Sequence, residues 1–398
     1  MNSPRLALLS PQIPFPPLSG GTTHILHVIQ QLARYYQVDL YALAAEPDSA
    51  DWGPLALCCA RMQAFRPSPA PRMSFPLPAV RQEYSAGLVH ALRQAWVRQA
   101  PAIVQLEFTT MARYASLVPQ RDTLIVCTAH NIAFLAQARR ARHEPVLRTR
   151  LRRHASALLF WLYEIMALRR CHLIITHGIA DEEALRRWLP QLPITTIPSG
   201  IDLASWPACF DPGAAPRVLF VGNYLHPPNV EGALWLLDQV WPAVRQRHPG
   251  AQLILAGRAP PASLQARAAP DILIPGTVDD LRQLYAQARL VVAPIFWGSG
   301  IRIKLLEALA CALPIVTTPQ AAEGIALQHG QNALIAGSAT TFSTMIVQLL
   351  EDAAQCQQLG ASGRALIERE YDWTILGQRL VTRYTRARTQ RMRSQRAA

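Results

Sequence analysis

The stretch Leu290–Thr318, reading LVVAPIFWGSGIRIKLLEALACALPIVTT, constrains the fold more than any other part of the chain. Leu290–Pro294 is an apolar run too short for a helix and suited to a buried parallel strand. Gly298-Ser299-Gly300 lets the backbone turn sharply and leaves its amides uncovered. A helix is expected from Ile301 to Ala312, stopped ahead of Pro314, with a second apolar strand after it. The order is strand, glycine turn, helix, strand.

That turn is built to receive an anion. The first N–H groups of a helix have no internal partners, and its dipole is positive there. Arg302 and Lys304 add two full charges, and Glu307, three residues past Lys304, shares its face. Amides and cations for a phosphate thus sit beside a carboxylate able to accept from sugar hydroxyls. The competing reading is a glycine turn on a core helix, with Lys304 and Glu307 as a surface pair. Composition weighs against it: Lys304 is the only lysine among 39 lysines and arginines. Solvated lysines are arginine everywhere else, and the one compact ammonium stands in the anion loop.

With 398 residues the chain can bury two cores, and its 50% hydrophobic and 16% charged residues describe a globular protein. No apolar run reaches the roughly 20 residues of a membrane span, and the N-terminus lacks the features of a secretory signal. Seven scattered cysteines without a CxxC pair fit reduced thiols, giving the expectation of a cytoplasmic protein. The net charge of +13 lies largely in 139–170 and 379–396. Neither segment interleaves arginine with aromatics as a nucleic-acid motif does, so anionic substrates or lipid headgroups are the expected partners and nucleic acid is not.

Strands are expected at Arg5–Ser10, Val38–Leu43, Ala102–Leu106, Leu124–Thr128, Leu173–Thr176 and Ile194–Ile197, mostly separated by helical stretches. Such alternation predicts a parallel sheet covered on both faces. Gly20-Gly21 between the first strand and a helix over Thr22–Tyr35 offers backbone amides to a phosphate. His130 ends the strand at 124–128, where an open parallel sheet places its ligand crevice, although a satisfied structural histidine fits the position equally. Ala155–Leu168 is apolar on most sides and reads as a core or interdomain helix rather than an interfacial one. The proline-rich 208–216 marks the domain boundary. A second series then runs through Arg217–Gly222, Ala251–Ala256 and Ile272–Ile274. Asp279 is expected to cap a helix over Leu281–Ala288, with Asp280 favouring its positive end; a metal pair at Asp279 and Asp280 is disfavoured.

Phe220-Val-Gly-Asn223, Leu255-Ala-Gly-Arg258, Gly276-Thr-Val-Asp-Asp-Leu281 and Gly298-Ser-Gly-Ile-Arg-Ile-Lys-Leu-Leu-Glu-Ala308 follow one another in the order and spacing of one family. The chain resembles the retaining glycosyltransferases of family 4, of the GT-B fold, in a subgroup associated with bacterial exopolysaccharides. The resemblance implies an α/β architecture of two doubly wound Rossmann-like domains facing across a cleft. It implies an acceptor-side domain at 1–207, a nucleotide-sugar domain at 208–370, and a C-terminal helix and basic tail at 371–398 returning toward the first. It implies transfer of a hexose with retention from a nucleotide-diphosphate sugar to a glycan or lipid-linked acceptor, with no cofactor or metal. Glu307 matches the glutamate that holds the donor ribose, Gly20 and Gly21 the glycine loop near the donor phosphates, and His130 the histidine on the transferred sugar. Thr277 and Val278 fall where the base packs. Gly222, Gly298, Ser299, Gly300 and Ile301 complete the expected donor site.

The chain departs from that pattern in two places. Ser299 stands where the family's first glutamate contacts the sugar, and Asn223 with an uncharged loop ending at Asn229 replaces the arginine and lysine that neutralise the leaving diphosphate. Arg302 and Lys304, with Arg258 nearby, are the expected replacements. An epimerase acting on nucleotide sugars and a non-catalytic partner subunit are the rival readings. The arginine-rich helices further suggest peripheral contact with an anionic inner-membrane surface.

Overall fold

The computed structural model describes residues 3–397 except 18, 72–74, 120–121, 143, 145, 212 and 299–300. Contacts divide the chain into two compact units, Met1–Pro198 with Leu376–Ala398, and Ser199–Ile375.

The first unit is built on seven parallel strands: β1 (Arg5–Ser10), β2 (Gln37–Leu43), β3 (Cys59–Phe65), β4 (Ile103–Glu107), β5 (Leu124–Ala129), β6 (Leu173–Thr176) and β7 (Ile194–Thr196). Their order is β3-β2-β1-β4-β5-β6-β7. β1 and β4 to β6 are buried nearly throughout, which is why they read as continuous apolar runs. The direction of winding reverses between β1 and β4, so a crevice is expected beyond their carboxyl ends. Ser19 caps the helix Gly20–Leu32 through a reciprocal bond with Thr22, so Gly20 and Gly21 form its first turn and not a loop ahead of it.

The second unit has six parallel strands: β8 (Arg217–Val221), β9 (Gln252–Ala256), β10 (Ile272–Gly276), β11 (Leu290–Ala293), β12 (Ile315–Thr317) and β13 (Leu334–Ile335). Their order, β10-β9-β8-β11-β12-β13, is that of a dinucleotide-binding sheet, with its switch point between β8 and β11. Close backbone approach at the carboxyl edge requires glycine. A side chain at Gly257, which has φ +138°, would begin 1.8 Å from the Gly222 carbonyl oxygen.

The boundary falls at Pro198–Ser199, ahead of the 207–208 break expected from composition. Residues after 198 pair with the second unit: the Ile201 amide donates to the Tyr371 carbonyl at 2.9 Å, and Ile201 is buried in that core. The last helix runs from Trp373 to Ala397 and joins the first unit from Leu376, not from 371. There Gly377 lies against Gln31, and buried Tyr384 donates to Gln105 Oε1 at 2.6 Å.

Candidate active site

In the second unit, the glycine-turn helix is shorter than its sequence suggests, spanning Ile303–Ala310 with Arg302 as an extended N-cap. Ile301 and Arg302 therefore precede the helix, and Lys304 lies in its first turn. At the other end Ala312 adopts φ +58° and the Leu313 amide closes onto the Ala308 carbonyl, turning the chain into β12.

Lys304 Nζ donates to Asn229 Oδ1 at 2.7 Å and stands 4.4 Å from the centre of the Phe220 ring. It thus spans the switch point, from the first turn of the helix after β11 to the first turn of the helix Pro227–Trp235 after β8. Lys304 keeps some solvent contact, yet protein surrounds it closely enough that burial, with Arg302 adding to it and Glu307 opposing, pushes its ammonium down to about 7. Tyr285 donates to Glu307 Oε2 at 2.8 Å and approaches the Lys304 carbonyl at 3.2 Å. Burial raises Glu307 above the usual carboxylate range, while Tyr285 and Lys304 oppose the rise. Burial also lowers Arg302, against the pull of Glu323. The arrangement is a desolvated cation beside a carboxylate held by a phenol, which suits a diphosphate next to a hydroxyl-bearing group.

Asn223 is held by its own turn: its side chain accepts from the Leu225 amide at 3.1 Å, and its carbonyl accepts from Asn229 Nδ2 at 2.7 Å. Gly222 leaves room for Asn229, whose Cβ would lie 3.2 Å from an added side chain there. Gly298 has φ +115° and faces Arg302, Ile301 lies against Gly324, and Ser299 and Gly300 are outside the described residues. Arg258, expected beside the phosphates, is exposed after β9, where its carbonyl accepts from the Tyr224 amide. Thr277 is exposed and Val278 half-buried after β10. The cap of the Leu281–Gln287 helix is Asp280 and not Asp279: the Asp280 carboxylate accepts from the Arg282 amide and pairs with its guanidinium.

In the first unit, His130 follows β5 and is buried. Its Nε2 meets Glu107 Oε2 at 2.6 Å, and Glu107 Oε1 accepts from Gln105 Nε2 at 2.5 Å. With the Tyr384 contact to Gln105, a continuous buried chain runs from the last helix to the histidine. Phe108 stacks on the His130 ring at 3.9 Å and 9°, held at φ +70°. Gly21 is where it must be for that ring to fit, since a side chain there would begin 3.0 Å from Phe108 Cζ. His24, one turn into the Gly20–Leu32 helix, and His177, directly after β6, complete a buried cluster with His130. Burial, then the neighbouring histidines, hold His24 well below the usual histidine range. Burial, then His130, lower His177 to about 3 against the pull of the Ile197 carbonyl.

Glu107, Phe108, His24, His177 and Tyr285 escaped the sequence reading, and Asn229 entered it only as the place of a missing lysine. His177 follows its strand as His130 follows β5, so the rule that flagged one reaches the other. The remaining four carry no local signal and are defined by tertiary contact.

Two Rossmann-like sheets of this order define a protein of the GT-B fold class. Residues 18–205 match the model for Glycosyltransferase Family 4, and residues 215–352 match that for Glycosyl transferases group 1. The chain belongs to the group 1 glycosyltransferases of family 4 type. It is 28% identical over 235 residues to the phosphatidyl-myo-inositol mannosyltransferase of Mycobacterium tuberculosis, covering 54% of this chain and 61% of that protein. It is 24% identical over 233 residues to an uncharacterized 44.6 kDa protein in the cps region of Klebsiella pneumoniae, covering 54% and 58%. The chain thus spans about three-fifths of the length of these curated relatives. Among solved structures it is similar to Anabaena HepE in complex with UDP, with a TM-score of 0.68, 16% identity, and 96% and 99% of the two chains covered.

Proposed function

We propose that the protein transfers a hexosyl group, with retention, from a nucleotide-diphosphate sugar to a glycan or lipid-linked acceptor in polysaccharide or glycoconjugate synthesis. The observation that carries this reading is the Lys304–Asn229 contact across the switch point, with Glu307 on the same helix as Lys304 and held by Tyr285 from the Leu281–Gln287 helix. A retaining transfer builds positive charge on the sugar and negative charge on the leaving phosphate. The protein's main task is to stabilise the latter and align the acceptor hydroxyl. Lys304 and Arg302 are the groups for the leaving charge, Glu307 for the ribose hydroxyls, and His130 for the transferred sugar. Fixed cations and a helix start suffice for the diphosphate, so the transfer itself requires no metal.

Two relatives bear on the substrates: the mycobacterial protein is named for mannosyl transfer to phosphatidyl-myo-inositol, and HepE was solved with UDP. For this chain both a nucleotide diphosphate and a lipid-linked acceptor are consistent with its charge. Among the described residues no helix is long and apolar enough to cross a membrane. The helix Leu147–Leu168, however, buries only one face; Leu147, Leu151, Leu158, Leu162 and Met166 lie exposed at helical spacing, with exposed Arg148, Arg150 and Arg152 on its first turns. This favours peripheral contact with an anionic membrane over the core or interdomain helix suggested by composition.

Thermal shift with a panel of UDP, GDP and ADP sugars, followed by turnover with the stabilising donor, tests the reading. Sugar transfer that depends on an acceptor is expected. Conversion of the donor without any acceptor would indicate an epimerase, and absence of nucleotide binding a non-catalytic subunit.

A further inference from the structure

We propose that His24, His130 and His177 form a binding site for a divalent transition-metal ion, zinc foremost. One ring nitrogen from each lies within 4.8 Å of the others, and all three residues are buried. The ring centroids are 4.2 Å apart for His24 and His177, 4.9 Å for His130 and His177, and 5.1 Å for His24 and His130.

The outer hydrogen bonds decide which nitrogens face inward. His177 Nδ1 lies 3.0 Å from the Ile197 carbonyl oxygen, an acceptor only, so Nδ1 carries the proton and Nε2 the lone pair. That Nε2 is fully buried and has no hydrogen-bond partner. A buried nitrogen lone pair without a donor is costly to keep and is the ordinary state of an empty ligand position. His130 is arranged the same way, with Nε2 on the Glu107 carboxylate and Nδ1 left to the cluster, so in the loaded protein it is a ligand and not a contact to the transferred sugar. Donation of the outer N–H to a carbonyl in one case and a carboxylate in the other is the second layer that metal-bound imidazoles have, fixing tautomer and ring direction. Glu107 is in turn held by Gln105, and Phe108 covers the His130 ring.

Three imidazoles with an open fourth position suit zinc or cobalt(II), and no carboxylate or thiolate enters the inner set. Nitrogens at about 2.0–2.1 Å from one tetrahedral ion stand roughly 3.3 Å apart, so from separations within 4.8 Å the ligand atoms close by up to about 1.5 Å on loading. The three ligands come from a helix, the end of β5 and the end of β6, so a bound ion would pin these elements together.

The test uses the full chain, stripped with a chelator and exchanged into chelator-free buffer, then titrated with cobalt(II) and zinc(II). One cobalt(II) per chain is expected, with the visible ligand-field absorption of a four-coordinate site, displaced by zinc(II). His177→Gln and, separately, His24→Gln should weaken uptake by about 100-fold or more, because each removes an inner ligand. His90→Gln, on a different helix, should leave it unchanged. Circular dichroism without metal reports whether each variant is folded; should one histidine variant unfold, the other carries the test. Equal uptake by a folded His177→Gln or His24→Gln variant, or absence of a four-coordinate cobalt spectrum in the unaltered protein, would overturn the proposal.

Discussion

Lys304 and Asn229 are 75 positions apart, yet the ammonium of one donates to the side-chain oxygen of the other at 2.7 Å. The contact joins the first turns of the two helices, Pro227–Trp235 and Ile303–Ala310, that flank the β8–β11 switch point. Phe220 lies beneath the ammonium and Glu307 on the next turn of the same helix. The segment after β8 carries no lysine or arginine at 223 or 229; the charge reaches it from the helix after β11.

This geometry sets a pH dependence for nucleotide binding. A diphosphate selects the ammonium form of Lys304, whose value in the free protein is about 7, below the usual 10.5. Above pH 7, binding must therefore draw in a proton, and affinity falls by up to about tenfold per unit through this group. In the free protein the fold favours the neutral amine, so Lys304's contribution to stability weakens as pH drops from 10.5 toward 7. Arg302 and Glu307 face the same group, and Tyr285 titrates far above this window. Calorimetry of UDP and GDP between pH 6 and 9 should show proton uptake that is absent in Lys304→Met.

Glu307→Gln and Tyr285→Phe probe the carboxylate. The first removes the charge proposed to receive ribose hydroxyls, and the second the phenol that donates to it. Hydrogen bonds to a charged group contribute about 1.5–3 kcal/mol, so Glu307→Gln should weaken donor binding by roughly 10- to 100-fold. Tyr285→Phe should have the smaller effect. Donor KM and kcat, measured separately, distinguish a binding loss from a loss confined to turnover.

Phe108 holds its ring on His130 at the expense of a left-handed backbone. Phe108→Ala loses the stack and keeps the strained conformation, and turnover should fall by about tenfold. Phe108→Gly loses the same stack but relieves strain on the order of 1–3 kcal/mol. Urea unfolding should therefore rank the glycine variant above the alanine one, while both show the same turnover defect.

The exposed stripe on Leu147–Leu168 is testable without activity. Leu158→Gln with Leu162→Gln should abolish flotation with anionic liposomes and leave circular dichroism unchanged. Retained flotation would assign the association to arginines alone, and no flotation of the unaltered protein would remove the membrane contact.

The central strands were legible because both of their faces are buried. β3 was not: Ala60, Arg61 and Gln63 are exposed on this edge strand, so its apolar pattern is broken. β13, with two residues, is too short to leave a pattern. The strand, glycine turn and helix around Lys304 were legible in outline, but not the partner of the lysine. Nothing local to Asn229 shows that it accepts from Lys304, just as nothing near Glu107 shows that it holds His130. Asp280 displaced Asp279 as a cap because adjacent carboxylates compete for one position and only the backbone decides. The boundary at Pro198 was hidden because Ile201 pairs with residues 170 positions later.

The most direct test is turnover of Lys304→Ala with the accepted nucleotide sugar, beside calorimetry of the nucleotide diphosphate. Loss of a transition-state charge partner predicts a fall in kcat of about 10²–10³ with the protein folded. A variant that binds the diphosphate and transfers sugar as well as the unaltered chain would contradict the role given to Lys304.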